Sequence, residues 1–327
     1  MKDSLSRRHF IAGLTAVAAG STLPLDTLAA AFEPALYPPV DLSYFEQPIR
    51  PAPAEIRFGY ASITWAGNDL QAIKDISEAG FRGIQLRSNV LPEYGEQPQV
   101  LRALLKQHHL ELVALSSGGV RIMPGTEAEE VAKHTRHAKF VRDVGGHYLQ
   151  VTDSARPKDK PPTTADFKEL GRILTEIGKR TSDLGVKLGY HNHMNSLGES
   201  PEEVDQIMAA VDPRYVKLEL DIAHYHQGGG NPAEAIKRYG KELLFLHIKD
   251  VESLDSAEQP GRKYRFVELG RGRVNMPAVF SALKEVNFRG WAVVELDSVT
   301  TKDRSAKESA LISKKYIEEE LKLKIAP

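Results

Sequence analysis

The sequence predicts a single (β/α)₈ TIM barrel. From Ile56 onward, short β-branched runs alternate with helical periods, and eight such units fill residues 56–327. That span suits a barrel, typically about 250 residues long. The competing doubly wound sheet would carry a glycine fingerprint after its first strand, and Gly59-Tyr60-Ala61-Ser62 is not one.

Before the barrel come two further segments. In residues 1–31, Ser6-Arg7-Arg8-His9-Phe10 precedes a weakly apolar run from Ile11 to Leu25, then Ala29-Ala30-Ala31, an A-x-A-like cleavage site. The run is too short and too rich in Ala, Gly and Thr to span a membrane, which takes about 20 strongly apolar residues. The segment resembles a bacterial twin-arginine signal peptide, which implies export of a folded protein to the periplasm. Residues 32–55, with Pro34, Pro38, Pro39, Pro48, Pro51 and Pro53, read as an extended arm or linker.

Strands are expected at Arg57–Ile63, Gly83–Arg87, Glu111–Leu115, His147–Thr152, Val186–Asn192, Tyr215–Ile222, Leu243–Lys249 and Ala292–Leu296. Between them, Glu127–Val144 and Phe167–Leu184 carry apolar stripes at helical spacing. Glu203–Val211 follows Ser200-Pro201, and Met276–Val286 follows Asn275 with Pro277 just inside, each a cap with an early proline. Lys307–Leu321 is the last helix. Val251–Asn275, with Gly261, Arg262, Lys263 and Arg271, reads as a long lid-like connection.

Composition narrows the function. Lys plus Arg is 43 against 44 for Asp plus Glu, a net charge of −1 that leaves no basic footprint for nucleic acid. With no cysteine, disulfides, thiolate-bound zinc and thiol nucleophiles are excluded. Any metal must be held by His, carboxylate or amide groups.

Strand parity indicates which side chains meet. One face is apolar: Leu149 and Val151; Val186, Leu188 and Tyr190; Val216, Leu218, Leu220 and Ile222; Leu244, Leu246 and Ile248; Val294 and Leu296. The opposite face points into the barrel: Tyr148, Gln150 and Thr152; Lys187, His191 and His193; Lys217, Glu219 and Asp221; His247 and Lys249; Glu295 and Asp297. Active sites in this fold lie at the carboxyl ends of the strands. Singly, His247 reads as a hydrogen-bonded core histidine, Asp221 as a turn cap and Glu295 as a partner of Lys249. Together, His191, Asp221, His247 and Glu295 share one parity and one barrel end, a ligand set for one divalent ion. Mn²⁺, Co²⁺, Zn²⁺ and Mg²⁺ all suit mixed imidazole and carboxylate ligands.

The segments Gly189-Tyr190-His191-Asn192-His193, Leu220-Asp221-Ile222-Ala223-His224, Leu246-His247-Ile248-Lys249-Asp250 and Val294-Glu295-Leu296-Asp297 resemble the sugar phosphate isomerase/epimerase superfamily with its xylose-isomerase-like barrel. Leu269-Gly270-Arg271-Gly272-Arg273-Val274-Asn275 resembles its Gly-x-Gly turn, and Gly59–Trp65 its first strand. The resemblance implies that Asp221, His247 and Glu295 are ligands and that His224 meets substrate. Many members carry glutamate where His191 stands, whereas the inosose-dehydratase-like branch carries a similar Tyr-His-x-His string. Either His191 or Gln150 therefore supplies the fourth ligand.

A divalent ion holding a carbonyl and its neighbouring hydroxyl eases loss of the α-proton. A base takes the proton, leaving a metal-bound enediolate. Reprotonation gives isomerisation or epimerisation; loss of a β-oxygen gives elimination. The expected activity is thus a metal-dependent isomerase or epimerase of a sugar or keto-sugar. The alternatives are a lyase or dehydratase on the same barrel (inosose-dehydratase-like, or eliminating from a keto-glycoside) and a non-catalytic periplasmic sugar-binding barrel. An abasic-site endonuclease shares the barrel, but the charge argues against it. His193 and His224 are the candidate bases, or else hold substrate hydroxyls; Glu295 and Lys249 are further catalytic candidates, Lys249 as oxyanion stabiliser or as partner of Glu295. Trp65, Gln85, Arg87 and Gln150 are candidate substrate contacts. The expected partner is a small sugar, with no nucleic acid and no membrane once the signal is removed. Oligomeric state is not readable.

Overall fold

In the computed structural model, eight parallel strands close into a barrel. They are β1 (Glu55–Ala61), β2 (Gly83–Arg87), β3 (Glu111–Val120), β4 (Tyr148–Asp153), β5 (Lys187–His191), β6 (Val216–Asp221), β7 (Leu243–Ile248) and β10 (Arg289–Val294). Each pairs with its neighbour in sequence, β7 with β10, and β10 closes the ring onto β1. The structure describes residues 54–154, 156–157, 160–254 and 263–325. The twin-arginine-like segment and nearly all of the proline-rich arm lie outside the described residues, as do Gly261 and Arg262. Among the described residues, no helix is long and apolar enough to cross a membrane.

Local sequence explains the helices. The helix Glu127–Val144 lies where its stripe placed it and ends at Gly145, in the left-handed region at φ +90°. The helix Thr164–Asp183 starts earlier than Phe167 because Thr163 and Asp166 form a reciprocal capping box. Ser200 and Glu203 do the same for the helix Pro201–Ala210. The outward apolar residues of the strands pack beneath these helices as one continuous core. Inside the barrel, Val113, Phe245, Trp291 and Val293 form a separate apolar floor. Gly83 makes room for it, since a Cβ there would lie 2.4 Å from the Trp291 ring. Above this floor only polar side chains face inward from β5, β6 and β7.

Several expectations are corrected. Leu244 belongs to the interior floor, because a register shift opposite Leu218 and Glu219 displaces it from outward parity. The last barrel strand runs Arg289–Val294 rather than Ala292–Leu296: its start is set by pairing of Arg289 with Glu55 on β1. Glu295 therefore sits just past the strand end, tied by its N–H to the Ile248 carbonyl at 3.1 Å. The first strand ends at Ala61, before a 3₁₀ turn over Ser62–Trp65. β3 continues past Leu115 because Gly118 and Gly119 allow an irregularity there, after which Val120 still pairs with Asp153. The described parts of the Val251–Asn275 connection are structured, with β8 (Asp250–Ser253) and β9 (Tyr264–Val267) pairing antiparallel. Asp250 anchors both arms, its carboxylate accepting the N–H groups of Val251, Gly270, Gly272 and Val274 at 2.9–3.1 Å. This accounts for the Gly-x-Gly turn: a Cβ on Gly272 would lie 2.2 Å from Asp250 Oδ1.

The extension of β3 is pinned to the helix Glu127–Val144. Ser117 Oγ lies 2.6 Å from His134 Nδ1 and 2.7 Å from His137 Nδ1. Burial, reinforced by Lys133, lowers His134 to about 3, and burial with Lys133 and Arg136 lowers His137 to about 4. An unfolded imidazole titrates near 6.5. The unfolded chain then binds protons that the folded one does not, so this contribution is complete above about pH 6.5 and is lost as pH falls toward 4. The midpoint of thermal unfolding should drop between pH 7 and pH 5, less steeply in His134→Gln. Equal slopes in circular dichroism melts of both proteins would contradict this origin.

Candidate active site

Four strand ends supply the site. His191 closes β5, Asp221 closes β6, His247 lies in β7 and Glu295 follows β10. Asn192 fixes the spacing of the first two beyond the regular ladder. Its amide donates to the Asp221 carbonyl at 3.2 Å and accepts the Asp221 N–H at 3.0 Å.

Donor atoms of His191, Asp221 and His247 lie within 4.8 Å of one another, all buried. His191 Nδ1, Asp221 Oδ2 and His247 Nδ1 make no hydrogen bond, and buried polar atoms are rarely left so unless a ligand completes them. The other donor atoms of Asp221 and His247 are occupied. Asp221 Oδ1 accepts the N–H groups of Ala223 and His224, each at 2.8 Å, capping the short helix Ile222–Gln227. His247 Nε2 lies 2.8 Å from Gln85 Oε1 and 2.7 Å from Glu219 Oε1. That edge holds the ring N–H, which aims the Nδ1 lone pair at the cluster, the arrangement usual for a ligating imidazole. Glu295 joins through Oε2, 3.4 Å from His247 Nδ1, while Oε1 is bonded to Lys249 at 2.8 Å. The donor set fits a divalent cation of intermediate softness.

Electrostatics agree with that fit. Burial raises Glu219 to about 7 despite the nearby His247. Burial opposes the charged form of His247, but Glu219 and Glu295 hold its pKa well above the usual imidazole value. A cation bound here displaces that proton. Burial likewise opposes Lys249, yet Glu295, Asp297 and Asp221 keep it an ammonium ion, bonded to Asp297 Oδ1 at 2.5 Å.

A cavity of about 700 Å³ is lined by His193, Asn195, His224, Tyr264, Phe266 and Asp297, among others, and its His193 and His224 rings lie 5.8 and 5.9 Å from the His191 ring of the cluster. The imidazoles of His193 and His224 lie with centroids 3.9 Å apart, tilted by 36°. The two backbone groups of Met194 set their tautomers. The Met194 carbonyl, which only accepts, lies 2.6 Å from His193 Nδ1, so that nitrogen carries the proton and Nε2 keeps its lone pair. The Met194 N–H, which only donates, lies 3.2 Å from His224 Nδ1, so the proton of His224 is on Nε2. Burial first and the Lys249 charge second hold His224 neutral, well below the usual range. Donors of His191, His193 and His224 also come within 4.8 Å of one another. The ammonium of Lys249, 3.4 Å from His224 Nε2, makes that second cluster unfavourable for a cation.

The expected substrate contacts are placed unevenly. Gln85 holds His247 rather than facing the cavity. Gln150 is buried, with Oε1 unpartnered. Trp65 is buried, its indole N–H on Asp75 at 2.9 Å and its ring edge-on to Tyr60, a packing role. Arg87 is exposed at the end of β2. Sequence reasoning put Glu219 on the inward face without a role and missed Tyr264 and Phe266, which become visible as site residues only once β8 and β9 pair. The one earlier signal was that Glu219 shares parity with Asp221.

The sequence pattern of the xylose isomerase-like TIM barrel family matches residues 73–316. The chain belongs to the xylose isomerase-like TIM barrel family. Among relatives of this barrel, the inosose dehydratase of Lacticaseibacillus casei is 27% identical over 294 residues, covering 80% of this chain and 96% of that one. The rhizopine catabolism protein MocC of Rhizobium meliloti is 27% identical over 271 residues, 74% of this chain and 82% of its own. Two solved barrels share the fold. One is an IOLI protein with a bound zinc atom (TM-score 0.67, 22% identity, 80% of this chain and 97% of that one). The other is the probable 3-DHS dehydratase AsbF of Bacillus anthracis (TM-score 0.65, 17% identity, 80% and 99%). Inosose dehydratases recur among the relatives.

Proposed function

We propose that this barrel is a divalent-metal-dependent lyase that removes water, or another β-oxygen leaving group, from a small uncharged keto-sugar or keto-cyclitol such as an inosose. The observation that carries the reading is the opposite tautomers of the paired histidines: His193 offers a lone pair at Nε2, while His224 offers an N–H donor at Nε2. Elimination needs both at once, a base for the α-proton and a hydrogen-bond donor on the departing oxygen. His191 in place of a second carboxylate, beside Glu295, points the same way. The names of the curated relatives support it.

His191 Nδ1, Asp221 Oδ2, His247 Nδ1 and Glu295 Oε2 would hold the ion, and zinc, bound in one similar barrel, is among the candidates. Bound there, a divalent ion polarises the carbonyl and acidifies the neighbouring C–H. His193 takes that proton at Nε2. His224 hydrogen-bonds the leaving oxygen through its Nε2 N–H, and the imidazolium formed on His193 returns the proton with which that oxygen departs. Lys249 keeps the carboxylates of Glu295 and Asp297 in place, with its charge matched by them. Of the other cavity-lining cations, Arg265 is bonded to Glu252 and Lys263 is exposed to solvent, where its charge is screened.

The test is mass spectrometry of inososes and other keto-sugars incubated with metal-loaded protein, with a chelated sample as control. The reading expects loss of one water or of an aglycone, abolished by the chelator and restored by added metal. A product of unchanged mass would replace elimination by isomerisation, and unchanged substrate would favour the binding-protein alternative.

A further inference from the structure

The connection after β7 returns an aromatic ring to the reactive centre. In β9, Phe266 pairs with Val251 of β8, so the hairpin that begins one residue after Lys249 folds back over it. The Lys249 Nζ lies 4.1 Å from the Phe266 ring centroid, over the face. The His224 ring meets the same phenyl edge-to-face, with centroids 4.7 Å apart. Tyr264, two residues earlier on the same strand, supports Phe266 at 5.6 Å.

We propose that Phe266 is a positioning residue that seats the Lys249 ammonium and the His224 imidazole against one another. Lys249 has no solvent-exposed surface, and its charge is met by Glu295 Oε1 and Asp297 Oδ1. The negative face of the aromatic ring supplies a third, non-titrating contact. That contact helps offset the repulsion between the ammonium and the Nε2 N–H of His224, two donors 3.4 Å apart, and so holds them in place. The edge-to-face contact fixes the imidazole plane, and with it the direction of the Nε2 proton. The Asp250 carboxylate, gripping both roots of the hairpin, gives the ring a rigid mount. The hairpin is thus part of the acid–base apparatus rather than a passive cover. This assignment rests on reading the barrel mouth as the reactive centre.

The test compares Phe266→Leu, which keeps apolar bulk without a π face, with Phe266→Tyr, which keeps the face. In lysine-labelled full-length protein, with Lys249 assigned by its absence in Lys249→Met, the Lys249 ε-protons should be shifted upfield by the ring current. The shift should vanish in Phe266→Leu and persist in Phe266→Tyr. Turnover should fall by about 5- to 30-fold in Phe266→Leu, with KM changed less than about twofold, and recover in Phe266→Tyr. An unshifted Lys249 in the unsubstituted protein, or unchanged turnover in Phe266→Leu, would overturn the assignment. If the unsubstituted protein converts no keto substrate, the proposed reaction fails, while the Lys249 shift still decides whether Phe266 holds the ammonium.

Discussion

Asp221→Asn should empty the metal site and lower turnover by at least about 10²–10³-fold, with the fold intact. Asparagine is the informative substitution because the two carboxylate oxygens have different duties. Oδ1 caps the short helix Ile222–Gln227 through the N–H groups of Ala223 and His224, and an amide oxygen can keep that role. Oδ2 is the buried, unpartnered atom turned toward His191 and His247. Asp221→Ala would remove both and confuse loss of a ligand with an uncapped helix, a cost of about 1 kcal/mol. Metal analysis of the purified variant, beside its circular dichroism spectrum, separates the two effects. Full metal content in Asp221→Asn would exclude Asp221 as a ligand.

The two cavity histidines should fail differently. His193→Asn should slow exchange of the substrate α-proton with deuterated water by about 10²–10⁴-fold, the usual cost of losing a general base. His224→Asn should leave most of that exchange and instead suppress product formation, because its Nε2 N–H is assigned to hydrogen-bond the leaving oxygen. Neither is assigned as a ligand, so metal content should hold in both. The contrast follows from the Met194 backbone, whose carbonyl and N–H face different rings. Equal exchange defects in both variants would show that the tautomers do not divide the work. Normal exchange in both would move proton abstraction to Glu295, whose Oε2 lies 3.4 Å from His247 Nδ1.

The barrel was legible because its local rules are simple. A strand repeats every two residues and a helix every 3.6, so alternation of apolar runs and stripes specifies eight units without knowledge of contacts. The same parity placed His191, Asp221, Glu219 and His247 on the inner face, and that is where they lie. The resemblance to a family narrowed the ligand set from those residues. Where parity breaks, local rules fail: Leu244 turned inward at a register shift, and a shift depends on the neighbouring strand rather than on the residue's own sequence.

Side-chain roles at the site were decided by tertiary structure. Gln85 read as a sugar contact until the His247 ring lay against it, and Trp65 until Asp75 took its N–H. The protonation of His193 and His224 depends on which backbone group each nitrogen meets, and that is settled by where the chain after His191 comes to rest. Phe266 joined the centre only through pairing of β8 with β9. The sequence by itself determined the eightfold strand–helix order and the inner face with its imidazoles and carboxylates, since these follow from the period of the backbone. The direction of each lone pair and proton was decided only by tertiary structure, because a hydrogen bond belongs to two groups and its second partner lies far along the chain.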